Sequence, residues 1–128
     1  MIEISMAILV LNKKIFIAQR NIAKHMGGMW EFPGGKLEVG ETLQECVARE
    51  LMEEFGKEIT VGDKFMDFTY TYPEKGEFHL NAFWCTCSDE KMEPTEHMDY
   101  KWVSISELDD YEFCPADKPF IEKLKELA

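Results

Sequence analysis

The sequence predicts a single α/β domain, residues 1–128, and three observations support that prediction. The length of 128 residues is typical of one domain. Several stretches of alternating or continuous apolar residues are typical of β-strands. Two other segments carry apolar residues at helical spacing, one in the middle of the chain and one at its end. Because 45% of the residues are hydrophobic and 12% are aromatic, the chain can bury a core.

Net charge and composition exclude several classes of partner. The formal net charge is −11, from 14 basic and 25 acidic residues, which argues against nucleic acid polymers and anionic membranes. A small anionic ligand remains compatible if metal ions bridge the two negative partners. No signal peptide is visible in MIEIS, and the longest apolar run, Met6–Leu11, is too short to cross a bilayer. We therefore expect a cytoplasmic protein with reduced cysteines; a zinc site on Cys85 and Cys87 is the alternative.

The first third of the chain predicts a hairpin followed by a glycine-rich turn. Residues 2–11 and 15–20 are the two strands, and Arg20 ends the second, where a solvated edge residue is the simplest interpretation. Residues 21–31 are predicted as a loop. The run WEFPGGK follows, and its Pro33-Gly34-Gly35 predicts a tight turn after a short strand.

Residues 42–55 predict the main helix. Thr42 and Glu45 form a capping-box pattern, and Gly56 is a suitable C-terminal stop. At about 100° per residue, Glu50 and Glu54 fall at the edge of the apolar sector, with Glu53 on the flank of Glu50. The glutamates are therefore expected to border the core, unlike those of a merely solvated acidic face.

The second half predicts more strands and a final helix. Residues 59–61 begin a strand that Gly62-Asp63 breaks, residues 65–72 and 78–87 form a hairpin, and residues 100–104 form a short strand. The aromatic residues of these strands are expected in the core and the pocket wall, and His79 is expected to be structural. Residues 115–127 predict an amphipathic helix.

Clustered carboxylates on one helix require cations. Oxygen ligands favour hard divalent ions, Mg²⁺ or Mn²⁺, which neutralise phosphate oxygens and polarise water. Such a site on an acidic protein suits hydrolysis of a polyphosphate. Arg49, next to Glu50, is able to fix a carboxylate by a bidentate pair. Calcium binding without catalysis is the competing interpretation, but the chain contains no EF-hand loop pattern.

Residues 35–57 resemble the Nudix box. The matching positions over these 23 residues are Gly35, Glu41, Arg49-Glu50-Leu51, Glu53-Glu54 and Gly56. One position departs from the pattern, since Lys57 stands where the box normally ends in an aliphatic residue; its methylene stem is still able to pack. The resemblance extends to the MutT-like branch through WEFPGGKLEVGET at 30–42, AQR at 18–20 and PADKP at 115–119.

The resemblance implies an α/β/α sandwich around a mixed sheet and an enzyme that hydrolyses nucleoside triphosphates to the monophosphate and pyrophosphate. It implies metal ligation by Glu53, Glu54 and a main-chain carbonyl of Gly34 or Gly35. Glu50 is a further ligand or activates the water, and Glu96 matches an acidic loop residue that joins the metal site or acts as general base. Arg20, Lys36 and Phe83 are expected to contact the substrate, while Glu41, Arg49 and Gly56 are structural.

Position 117 bears most on the substrate. MutT enzymes that act on 8-oxo-dGTP carry asparagine there, whereas this chain has Asp117, as in relatives similar to CTP pyrophosphohydrolases. An ionised Asp117 accepts a hydrogen bond, which suits the cytosine amino group. A protonated Asp117 would instead suit 8-oxo-dGTP, and a helix cap is the structural alternative. A non-catalytic nucleotide sensor is the alternative of another class; either a monomer or a homodimer is compatible.

Overall fold

A computed structural model describes residues 1–128 and contains seven β-strands and two α-helices. Two short 3-10 helices, Ile105–Asp110 and Pro115–Asp117, precede the last α-helix. The strands and α-helices, in chain order, are β1 (Ile2–Leu11), β2 (Lys14–Gln19), β3 (Trp30–Glu31), β4 (Gly34–Lys36), α1 (Leu43–Phe55), β5 (Thr60–Tyr72), β6 (Gly76–Thr86), β7 (Asp99–Val103) and α2 (Lys118–Leu127). None of these helices is long and apolar enough to cross a membrane.

The seven strands form one mixed sheet in which β1 is central. The order along the sheet is β3-β2-β1-β6-β5, while β4 also pairs with β1 and β7 with β2. β1 and β6 are parallel, and every other pair is antiparallel. The predicted hairpins of residues 2–20 and 65–87 are both present. β1 pairs with β2, β4 and β6. It therefore joins its hairpin partner β2 to β4, the strand that precedes α1.

Alternate residues of the sheet face two separate cores, one under each helix. On β1, Ala7 and Leu9 pack with Val47 and Leu51 of α1. The intervening Met6 and Ile8 belong to the other core, which contains the apolar stripe of α2: Phe120, Ile121 and Leu124. The α/β/α sandwich is therefore confirmed, and each face of the sheet is covered by a helix.

Helix α1 begins and ends as predicted. The Thr42 side chain accepts a hydrogen bond from the Glu45 amide, the Glu45 carboxylate accepts one from the Thr42 amide, and this reciprocal pair is the capping box. Gly56 ends the helix in the left-handed conformation, with φ of 60°, which glycine adopts without steric cost. Both ends of the helix are thus fixed by local sequence.

Two local predictions were wrong. Pro33-Gly34-Gly35 does not form a tight turn, because Gly34–Lys36 is extended and pairs with β1 as strand β4. Gly62-Asp63 does not break the strand either. The residues from Thr60 to Tyr72 form one strand, and two register shifts, on either side of Lys64, absorb the irregularity as bulges.

Candidate active site

The guanidinium group of Arg49 forms hydrogen bonds with several carboxylates of the candidate site. It forms a bidentate pair with Glu41, at 3.0 Å from Nε and 2.7 Å from Nη2, and Nη2 also donates to the Lys36 carbonyl at 3.1 Å. The hydrogen bonds from Arg49 lower the pKa of Glu41 to about 2. The bidentate partner of Arg49 is thus Glu41 and not the adjacent Glu50.

The third nitrogen of the same guanidinium reaches the glutamates of α1. Nη1 lies 3.0 Å from Glu50 Oε1 and 3.1 Å from Glu53 Oε1. The Glu50 carboxylate packs directly on Gly35, where an added Cβ would overlap it. A side chain at position 35 would therefore displace the Glu50 carboxylate, which glycine leaves in place. Glu50 and Glu54 are half-buried, as the helix geometry predicts, and Glu53 is exposed.

Glu54 lies among other acidic residues and forms no salt bridge, although Arg20 and Lys24 line the same cleft. Its pKa is raised to about 8, first because burial removes water from the carboxyl group and then because Glu50, Glu31 and Glu96 place negative charge near it. We call Glu31, Glu50, Glu53, Glu54 and Glu96 the carboxylate cluster. Mutual repulsion of this kind is relieved by a divalent cation, and the donors are all oxygen atoms, which suits Mg²⁺ or Mn²⁺.

The side chains of the carboxylate cluster do not form a complete coordination sphere for a metal ion. No three His, Cys, Asp or Glu side chains converge closely enough to hold a metal ion. Two members of the carboxylate cluster, Glu50 and Glu53, are paired with Arg49. A cation would therefore compete with this guanidinium for the same oxygen atoms.

The loop between β6 and β7 closes one side of the carboxylate cluster. Glu96 pairs with Lys24 at 3.1 Å and is exposed. The His97 side chain is 8% exposed and stacks on the ring of Phe55, with centroids 4.9 Å apart. His97 Nε2 contacts Glu31 Oε2 at 2.8 Å. The His97 ring thus holds Glu31 beside Glu54, although its own Nδ1 has no hydrogen-bond partner.

A cavity of about 300 Å³ opens next to the carboxylate cluster. We call it the deep pocket. Arg20 stands at its border and pairs with Glu31 at 3.0 Å, and Lys36 also lines it. The inner wall is mostly apolar and includes Phe32, Tyr72, Phe78, Leu80, Ala116 and Asp117. An apolar cavity with one buried polar group is typical of a small-molecule site.

Asp117 is the buried polar group of the deep pocket. Only 3% of its surface is exposed, and its Oδ2 accepts a hydrogen bond of 2.9 Å from the Phe32 amide. Burial raises the pKa of Asp117 well above its ordinary value, and the charge of Glu31 raises it further. Asp117 precedes α2, but its side chain forms no cap hydrogen bond. The carboxyl group therefore serves the pocket and not the helix.

The prediction that Phe83 contacts the substrate was wrong. Phe83 is buried in the core under α1, with only 2% of its surface exposed, and it does not line the deep pocket. Side chains of a strand alternate between faces, so the residues of β6 that reach the pocket are Phe78 and Leu80. The strand was identified correctly, but the phase of its alternation was not.

Four residues of the site had not been singled out from the sequence: Glu31, Tyr72, Phe78 and His97. Glu31 lies within WEFPGG, and His97 directly follows Glu96. Their position next to predicted site residues is the sequence feature that could have identified them. Tyr72 and Phe78 pack edge to face, with centroids 5.1 Å apart, at the end of the β5–β6 hairpin. Their pairing follows from the hairpin register, which the sequence pattern alone leaves open.

Comparison with known proteins places this site in a family. The family model of the NUDIX domain matches residues 5–123, which is most of the chain. The chain is similar to the 8-oxo-dGTP diphosphatase of Escherichia coli K12, with 36% identity over 118 residues, 91% of this chain and 89% of that protein. It is also similar to the CTP pyrophosphohydrolase of the same organism, with 35% identity over 127 residues, 95% of this chain and 90% of that protein.

A solved structure agrees in both fold and sequence. The solution structure of the E. coli ORF135 protein superimposes with a TM-score of 0.84 at 34% identity, covering 98% of this chain and 89% of that one. The sandwich, the carboxylate-bearing helix and the matches to the box thus lead to one conclusion. The chain belongs to the Nudix family, and it is a pyrophosphohydrolase of the MutT-like branch.

Proposed function

We propose that the protein hydrolyses nucleoside triphosphates to the monophosphate and pyrophosphate in a Mg²⁺-dependent reaction, with a preference for cytidine-type or modified nucleotides. One observation carries the proposal. The deep pocket and the acidic cleft that contains Glu54 and Glu96 share Arg20, Glu31 and Gly34 in their walls. A base in the deep pocket would therefore extend its phosphates along Arg20 toward the carboxylate cluster.

The metal requirement follows from charge. Nudix hydrolases generally need a divalent metal, and a triphosphate carries negative charge into a cluster that is itself negative. Glu50, Glu53, Glu54 and Glu96 and a carbonyl of Gly34 or Gly35 are the proposed ligands. Bound Mg²⁺ would supply charge neutralisation at the phosphate oxygens and polarisation of water, and Mn²⁺ would supply the same chemistry.

The chain's own residues bind and orient the substrate and move one proton. Water attacks a phosphorus atom of the polyphosphate chain, the bond to the pyrophosphate leaving group breaks, and a nearby carboxylate takes the proton of the water. Glu50 and Glu96 are the two candidates for that carboxylate. Glu50 is held by Arg49 and Gly35, whereas Glu96 is exposed and pairs with Lys24. Replacing each by glutamine and comparing the pH dependence of kcat separates them.

Base preference is assigned to Asp117. Its Oδ2 is occupied by the Phe32 amide, so Oδ1 is the atom available to a ligand. As an acceptor it suits the amino group of cytosine, and a relative of this chain is named a CTP pyrophosphohydrolase. Burial favours the protonated carboxyl, which offers a donor as well, and this observation supports the second candidate, 8-oxo-dGTP. Either activity would remove unwanted nucleotides before DNA synthesis.

The test is pyrophosphate release across a nucleotide panel with Mg²⁺. The panel holds CTP, dCTP, 5-methyl-dCTP, 8-oxo-dGTP, dGTP and dATP. We expect turnover that depends on the metal and is fastest for a cytidine nucleotide. Fastest turnover of 8-oxo-dGTP would select the second candidate. Tight binding of one nucleotide without turnover of any would contradict the enzyme and identify a nucleotide sensor. Light scattering of the same sample distinguishes a monomer from a homodimer.

A further inference from the structure

The loop between β6 and β7, residues 87–98, is anchored to the C-terminal end of α1. The Glu93 amide donates to the Phe55 carbonyl and the Thr95 amide to the Glu54 carbonyl, each at 2.9 Å. The Thr95 hydroxyl lies 3.4 and 3.3 Å from the carbonyls of Glu53 and Glu54. These carbonyls belong to the last turn of the helix, where no intrahelical partner is available. The loop thus caps the helix whose side chains form the carboxylate cluster.

Lys57 reinforces this contact from the helix side. It stands one residue after the helix-ending Gly56, and only 8% of its surface is exposed. Its ammonium group donates to the Lys91 carbonyl at 2.9 Å and pairs with Asp89. The Asp89 carboxylate also accepts a hydrogen bond of 3.0 Å from the Lys91 amide. A buried ammonium group requires partners, and both partners of Lys57 lie in the loop.

The position of Lys57 is unusual for the box it belongs to. The box normally ends in an aliphatic residue, which would fill the same space but form no bond to the loop. Glu96 and His97 directly follow the anchored residues, which run from Asp89 to Thr95. His97 in turn contacts Glu31, the residue shared by the deep pocket and the acidic cleft.

We propose that Lys57 is a positioning residue that clamps the loop at Asp89 and Lys91 and thereby holds Glu96 and His97 beside the carboxylate cluster. The inference rests on the proposed function, because it assigns the clamp a consequence for catalysis. Lys57 touches neither the substrate pocket nor the carboxylate cluster, so its effect reaches the site only through the loop.

The test compares Lys57→Met with a matched control. Methionine keeps the length and apolar character of the stem but removes the ammonium group. Lys91→Met removes the same charge from the loop, yet leaves the Lys91 carbonyl in place, and the Lys91 ammonium forms no hydrogen bond or ion pair. Asp89→Asn removes the ionic partner of Lys57 at an exposed position, so it remains informative if Lys57→Met fails to fold.

Two readouts are measured on each variant of the full chain. Amide hydrogen exchange at Glu93 and Thr95 reports loop anchoring and requires no nucleotide, while kcat and KM report catalysis. In Lys57→Met and Asp89→Asn we expect these amides to exchange faster, and we expect kcat to fall by about tenfold, with KM changing less. Lys91→Met is expected to match the wild type in both readouts.

Each other outcome has a defined meaning. Unchanged exchange at Glu93 and Thr95 would overturn the clamp. Faster exchange with unchanged kcat would show an anchor that does not position the site, and it would overturn the catalytic part of the proposal. A lower kcat with unchanged exchange would equally contradict a route through the loop. If the wild type hydrolyses no nucleotide, the proposed function fails, while the exchange measurement still decides whether Lys57 clamps the loop.

Discussion

The carboxylate-bearing helix and the deep pocket are built in opposite ways. Residues 35–57 contain the helix, its caps and all but two members of the carboxylate cluster within one continuous stretch. The deep pocket draws its wall from β1, from the segments around Arg20 and Phe32, from the β5–β6 hairpin and from the residues before α2. Its central hydrogen bond joins Phe32 and Asp117, which are 85 residues apart.

This difference explains why the sequence predicts the helix better than the pocket. Local spacing is sufficient to define a helix that carries clustered carboxylates, so the class of reaction can be predicted from the sequence. A pocket assembled from distant segments depends on tertiary packing, so local spacing does not define its lining; Arg20, Lys36 and Asp117 were expected there from the family resemblance. We therefore propose that the helix carries the chemical step and that the deep pocket selects the base, and four variants test that division.

The largest effect is expected from the helix. Glu53→Gln should lower kcat at least about 100-fold for every nucleotide, because it removes a proposed metal ligand without altering the base pocket. Pyrophosphate release measures the effect. Glu58→Gln is the matched control, since Glu58 is exposed and lies beyond the helix end. An active Glu53→Gln enzyme would remove Glu53 from the metal site.

The pocket should respond differently. Asp117→Asn keeps an acceptor for the Phe32 amide but adds a donor, so it should shift the ratio of kcat/KM from cytidine nucleotides toward 8-oxo-dGTP by about tenfold. Competition assays with both nucleotides measure this ratio. Asp110→Asn, at an exposed position, should leave it unchanged. An unaltered ranking in Asp117→Asn would deny Asp117 any role in base recognition.

A third variant separates the stability of the helix from its chemistry. Thr42→Ala removes the side-chain half of the capping box and should lower the free energy of unfolding by ~1 kcal/mol. Chemical denaturation measures that loss. Because Thr42 lies at the end of α1 opposite Glu53 and Glu54, kcat should remain close to that of the wild type. A large fall in kcat would mean that the start of the helix also controls the site.

The smallest effect is expected at His79, which belongs to neither region. His79 bridges three strands, with Nδ1 at 2.7 Å from Glu3 on β1 and Nε2 at 2.6 Å from Asp67 on β5. The hydrogen bond with Asp67 and the contact with Glu3 raise the pKa of His79. The stabilisation is therefore fully present below the unfolded pKa of about 6.5 and is lost as pH rises through the higher folded pKa.

His79→Gln should accordingly reduce stability at pH 5.5 more than at pH 8.5, values chosen about one unit below and about two units above the ordinary histidine pKa. Thermal unfolding of both proteins at the two pH values measures the difference, and kcat should not change. An equal loss of stability at both pH values would show that the charge on His79 contributes nothing.

Prediction from sequence succeeded where neighbours in the chain determine structure. The caps of α1, the two hairpins and the half-buried position of Glu50 and Glu54 all follow from local spacing. It failed for Phe83, because the phase of alternation depends on which face of the sheet receives α1. It also missed Glu31 and His97, whose contact joins residues 66 positions apart.

The most direct test of the division between helix and pocket is kcat/KM for the nucleotide panel in three proteins: the wild type, Glu53→Gln and Asp117→Asn. We predict that Glu53→Gln lowers every value by a similar factor and preserves the ranking, while Asp117→Asn changes the ranking. A changed ranking in Glu53→Gln, or a uniform loss in Asp117→Asn, would contradict it.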